Sequence, residues 1–68
     1  MMQTKIIKVG DGIYNLEVDG EVRVREESFT VVSNVEEALL GHDQAPSECM
    51  EIADQIRHGF AAYMGQAN

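Results

Sequence analysis

Three short runs near the start of the chain, residues 4–9, 13–18 and 21–26, alternate branched with polar residues and are bounded by Gly and Asp. Period-two alternation between turn residues predicts a three-stranded antiparallel meander. Two connections carry the dipeptide Asp-Gly, at Asp11-Gly12 and Asp19-Gly20. Facing decides what each turn should be, because cross-strand partners share a side of the sheet. A two-residue type I′ loop at Asp11-Gly12 pairs Val9 with Tyr14 and Ile7 with Leu16, apolar against apolar. The same loop at Asp19-Gly20 would set Leu16 against Arg23 and Tyr14 against Arg25. A three-residue loop of Val18, Asp19 and Gly20, ending in a G1 bulge, instead pairs Leu16 with Val22 and Tyr14 with Val24. On this reading one face carries Ile7, Val9, Tyr14, Leu16, Val22 and Val24. The other carries Ile6, Lys8, Ile13, Asn15, Glu17, Arg23 and Arg25.

The second half changes period. Residues 47–64 place Cys49, Ile52, Ala53, Ile56, Phe60, Tyr63 and Met64 on a 3.6-residue stripe, which predicts an amphipathic helix. Pro46 and Ser47 mark its start, Glu48, Glu51 and Asp54 suit its positive end, and Gly65 can end it. Residues 28–40 fit a helix with Ser28 as N-cap and Phe29, Val32, Val35 or Glu36, and Leu39 on one side. The branched run Thr30-Val31-Val32 also allows an extended piece before a helix capped by Ser33 or Asn34. The helix from Ser28 is preferred, and residues 41–46 form a loop. The expected fold is thus α+β in two layers: a three-stranded antiparallel meander with two C-terminal helices packed on one face (β-β-β-α-α).

At 68 residues the chain is expected to make one small domain, 1–68, which buries only about 60% of the surface its unfolded chain exposes. Dimerisation through a sheet edge or through the helices would relieve so thin a core. The single cysteine, Cys49, excludes an intrachain disulfide and suits a reducing, cytoplasmic setting. No window approaches the ~18 apolar residues of a membrane span, so no membrane partner is expected.

Candidate chemistry is sparse. Gly10-Asp11-Gly12 lies between two strands, where a phosphate cradle would need a helix N-terminus and a basic residue, so it reads as a turn. Glu51, Asp54 and His58 share one side of the last helix, yet with His42 or Cys49 they match no standard metal spacing. Cys49 lies on the apolar stripe and has no local base to activate it. No catalytic residue, metal site or cofactor is expected, and the chain reads as non-enzymatic.

Charge then becomes the main guide to partners. Twelve acidic against five basic residues give a net charge of −7, and four of the five cations, Lys5, Lys8, Arg23 and Arg25, fall in the first 25 residues. The acidic helical side (Glu36, Glu37, Glu48, Glu51 and Asp54, with Glu26, Glu27 and Asp43 nearby) is one candidate surface for a protein partner. As a row of carboxylates it could also imitate nucleic acid and block a basic groove. The open sheet face, with Ile6, Lys8, Ile13, Arg23 and Arg25, is the other candidate surface: a small protein contact or a weak nucleic-acid site. The net charge and the expected burial of every aromatic ring argue against nucleic acid. A short acidic chain of this kind suits an accessory, regulatory or inhibitory protein that binds a partner, of the sort phages and mobile elements encode.

Overall fold

Three antiparallel strands, β1 (Thr4–Gly10), β2 (Ile13–Val18) and β3 (Glu21–Glu27), are followed by two helices, α1 (Phe29–Leu39) and α2 (Ser47–Arg57). The computed structural model describes residues 2–41, 46–59 and 63–64. A two-residue strand, β4 (Tyr63–Met64), runs parallel to β3 and pairs Val24 with Tyr63 and Arg25 with Met64, giving the sheet order β1-β2-β3-β4.

Both hairpins depart from the expected registers, and in complementary ways. Asp19 and Gly20 have φ of 52° and 85°, so both central residues are left-handed, as a two-residue type I′ turn requires. This is the turn type expected at Asp11-Gly12, where only Gly12 is left-handed (φ 69°). The Asp19 turn is held from the side. The Asp19 amide donates to the Gln3 carbonyl at 2.8 Å, and the Gln3 amide donates to Asp19 Oδ1 at 2.9 Å.

Continued regularly from the Asp19-Gly20 turn, the ladder would set Arg23 against Leu16 and Arg25 against Tyr14 on the helix side, whereas from the Asp11-Gly12 turn it would set Val9 and Ile7 there. Bulges change both outcomes: the one in β3 turns the arginines out, and the one in β1 exchanges Val9 and Ile7 for Lys8 and Ile6. In β1 the register slips at Val9, so that Gly10 pairs with Ile13 but Lys8 pairs with Tyr14 and Ile6 with Leu16. In β3 it slips at Arg23, between the pairs Glu17–Val22 and Leu16–Val24, and again before Glu27, which pairs with Tyr14. Glu26, at the last slip, is left-handed (φ 55°), and its amide donates to Asn15 Oδ1 at 2.9 Å. Val24 thus faces inward and Arg23 and Arg25 outward, as expected. Ile6 and Lys8 lie on the helix side rather than the open side, while Ile7, Val9 and Val22 lie on the open side rather than the helix side.

The core joins Leu16, Val18 and Val24 of the sheet to Val32, Val35, Ala38 and Leu39 of α1 and Cys49, Ala53 and Ile56 of α2, with Met2, Ile6, Tyr14, Val31 and Ile52 packed around it. Ser28 caps α1, its Oγ accepting from the Val31 amide at 3.2 Å. Burial of Val32 and Val35 outweighs the low helix propensity of the branched run. Phe29, expected on the buried stripe, is instead 54% exposed and meets Tyr14 edge-to-face at 5.3 Å. Thr4 Oγ1 donates to Glu36 of α1 at 2.8 Å, tying that helix to β1.

In α2 the Cys49 and Met50 amides both donate to the Pro46 carbonyl. The helix stops at Arg57, seven residues short of its expected end. Gly59 adopts φ 78° and its amide donates to the Ile56 carbonyl, an early stop that the apolar residues beyond it disguise in the sequence. Arg57 reaches across and donates to the Ala38 carbonyl near the end of α1. Phe60, Gly65 and the loop residues His42 and Asp43 lie outside the described residues.

Candidate functional site

The side of the sheet away from α1 and α2 is built from outward residues of β1, β2 and β3, which alternate along each strand except at the β3 bulge, where the neighbours Val22 and Arg23 share a side. By register and alternation it holds Lys5, Ile7 and Val9 of β1, Ile13, Asn15 and Glu17 of β2, and Val22, Arg23 and Arg25 of β3. Three of the five residues expected here, Ile13, Arg23 and Arg25, are in place. The other two are not: Ile6 packs on the core, and Lys8 stands opposite Tyr14 on the helix side. Ile7 and Val9 take their places along β1, and Val22 of β3, expected inside, joins them. The sequence held a hint of this exchange, since Ile6 and Ile7 are adjacent and one of them must face outward whichever register forms.

The face has a polarity of its own. Near the Asp11-Gly12 turn it is apolar, where half-buried Ile7 and Ile13 adjoin Val9, which is 50% exposed, and the Cβ-free Gly10 lies against Ile13. Along β3 it is basic, with Arg23 and Arg25. At its far end Lys5 pairs with Glu17 across the strands. Positive side chains therefore outnumber negative ones on this face, in a chain of net charge −7. β1, β2 and β3 place no aromatic residue on this face, since Tyr14, the one aromatic residue of those three strands, lies on the opposite side.

The acidic residues are less of a unit than their sequence positions suggest. Glu36 is half-buried and engaged by Thr4. Glu37 is exposed on α1. Glu27, through its pairing with Tyr14, faces the helix layer, where it and Glu48 lie close enough to act on Cys49. Burial first, then these two carboxylates, push the Cys49 thiol above its ordinary pKa, so at neutral pH it is a neutral core side chain. Glu48, Glu51 and Asp54 remain exposed on α2, and Glu48 and Glu51 line an open depression together with Ile52 and Gln55. Asp54 Oδ1 lies 3.5 Å from His58 Nε2, both side chains 65% exposed, a geometry worth little in water.

A second open depression lies at the β1–β2 end, lined by Gln3, Thr4, Lys5, Glu17 and Gly20. Among the described residues no three His, Cys, Asp or Glu side chains are grouped to hold a metal ion, and no helix is long and apolar enough to cross a membrane. The chain matches no family model, no curated protein and no solved structure.

Proposed function

We propose that this chain is a small non-enzymatic protein-interaction module, accessory or regulatory to its partner, and that it binds through the open face of the sheet. The supporting observation is the placement of Ile7, Val9, Ile13 and Val22 beside Lys5, Arg23 and Arg25, on the side that neither helix covers. Protein interfaces combine an apolar centre with a polar rim and are enriched in arginine. The complementary surface is apolar with an acidic border. A guanidinium pairs with carboxylates in bidentate fashion, so Arg23 and Arg25 supply orientation while the aliphatic residues supply area. The lone buried thiol suits a reducing cytoplasmic setting.

The test is affinity capture from cell extract with the wild type, an Ile7→Glu/Ile13→Glu variant and an Arg23→Glu/Arg25→Glu variant, each checked for folding by circular dichroism. A partner held by the wild type and lost by both folded variants supports the reading. Equal capture by all three overturns it. Light scattering on the same samples tells a second copy of the chain from a different protein.

One observation favours a second reading. Glu48, Glu51 and Asp54 are exposed together on α2, as a mimic of nucleic-acid phosphates requires. Binding to a basic nucleic-acid enzyme that fades as salt rises and disappears in a Glu48→Gln/Glu51→Gln/Asp54→Asn variant would favour mimicry, and binding insensitive to salt would count against it.

A further inference from the structure

The two Asp-Gly dipeptides are chemically alike and structurally different. We propose that Asp11 is a site of spontaneous aspartate isomerisation and that the fold protects Asp19 from the same reaction. An aspartate followed by glycine is prone to attack on its own side chain, because the glycine nitrogen is unshielded and its backbone is free to rotate. The Gly12 nitrogen attacks Cγ of Asp11 and gives up its proton, a carboxyl oxygen leaves as water, and a five-membered succinimide closes. Water then opens the ring at either carbonyl. One opening restores aspartate, and the other gives isoaspartate, whose main chain runs through Cβ and Cγ. Composition is conserved, and the only co-reactant is water.

Exposure does not separate the two sites. Asp11, Gly12, Asp19 and Gly20 are all exposed, and the space around both glycines is open to at least a Cβ atom. Anchoring separates them. Cγ of Asp19 cannot swing toward the Gly20 nitrogen unless Oδ1 releases the Gln3 amide, and the Asp19 amide is itself bonded to the Gln3 carbonyl. Among the described residues no hydrogen bond holds the Asp11 carboxylate. Isomerisation there adds a main-chain atom to the loop between β1 and β2, next to Val9, Gly10 and Ile13.

The full-length folded chain is incubated at neutral pH and sampled over weeks, with a parallel sample in concentrated urea. Cleavage after Glu17 separates the two sites for isoaspartyl methyltransferase labelling and for mass-spectrometric fragmentation. In the folded chain Asp11 should accumulate isoaspartate at least about five times faster than Asp19, the factor that one hydrogen bond of ~1 kcal/mol provides. In urea the two rates should converge. A Gln3→Pro variant, which lacks the amide that holds Asp19, should raise the rate at Asp19 alone. Equal rates at the two sites in the folded chain, or a folded chain in which Asp11 is as inert as Asp19, would overturn the proposal.

Discussion

Ile6 stands directly across from Leu16 on the helix side of the sheet, while its neighbour Ile7 stands across from Asn15 on the open side. The two isoleucines therefore have different jobs. Ile6→Ala removes packing against the core and should lower unfolding free energy by about 2 kcal/mol in urea titration. Ile7→Ala should cost less than about 1 kcal/mol. The reverse order of costs would mean that β1 faces the other way.

The clamp on Asp19 leads to a second expectation. Asp19→Val removes both a side chain that tolerates the left-handed conformation and the acceptor for the Gln3 amide, and should destabilise by about 2 kcal/mol. Asp19→Asn keeps both and should stay within about 0.5 kcal/mol of the wild type. Asp11→Val should be nearly neutral. Denaturation midpoints of the three variants check the assignment of the type I′ turn.

What the sequence revealed and what it concealed divide at these turns. The three long strands and the starts of both helices were legible, since period-two runs, Ser28 and Pro46-Ser47 are local signals, but the end of α2 and the strand at Tyr63–Met64, expected within that helix, were not. The inward set of β1 was not, because Ile6, Ile7 and Val9 offer apolar residues to either face. Nor does sequence say whether a needed one-residue slip sits at a turn or inside a strand, as both correct the facing equally well. Of the candidate surfaces, Ile13, Arg23 and Arg25 were readable because the slips preserve their parity. The engagement of Glu36 by Thr4, 32 residues away, carries no local mark.

Glu26 holds a left-handed backbone without being glycine. Because Asn15 accepts from its main-chain amide, Glu26→Gly keeps the bond and relieves the strain. Stability should rise by about 0.5 to 1 kcal/mol, read from the thermal or urea midpoint. A loss of stability would show that the Glu26 side chain contributes more than its backbone costs.

Cys49 makes stability fall on the alkaline side. Its pKa is raised in the folded chain, so above the ordinary thiol range the unfolded chain has lost a proton that the folded chain still holds. Stability contributed by the neutral thiol is complete below the unfolded pKa and is lost as pH rises toward the folded one. Urea midpoints from about pH 8 to about pH 10 should therefore decline more in the wild type than in Cys49→Val, and thiol reagents should label the native chain slowly. Parallel declines would remove Cys49 from the account.

Three positions are surplus to strand pairing. Excising Val9 would make the pairs Lys8–Tyr14 and Gly10–Ile13 consecutive, excising Arg23 would do the same for Leu16–Val24 and Glu17–Val22, and excising Glu26 would let Arg25 stand opposite Asn15. No existing strand pair would change in any of the three, although excising Glu26 also removes the amide that Asn15 holds. Such one-residue deletions are usually ruinous within a strand, yet here they should leave a folded and straighter sheet. Val9 and Arg23 both project from the open face, so their removal offers a way to subtract a side chain and its backbone kink together. The bulges thus make chain length, and not only residue identity, a variable by which this surface can be altered while the fold is kept.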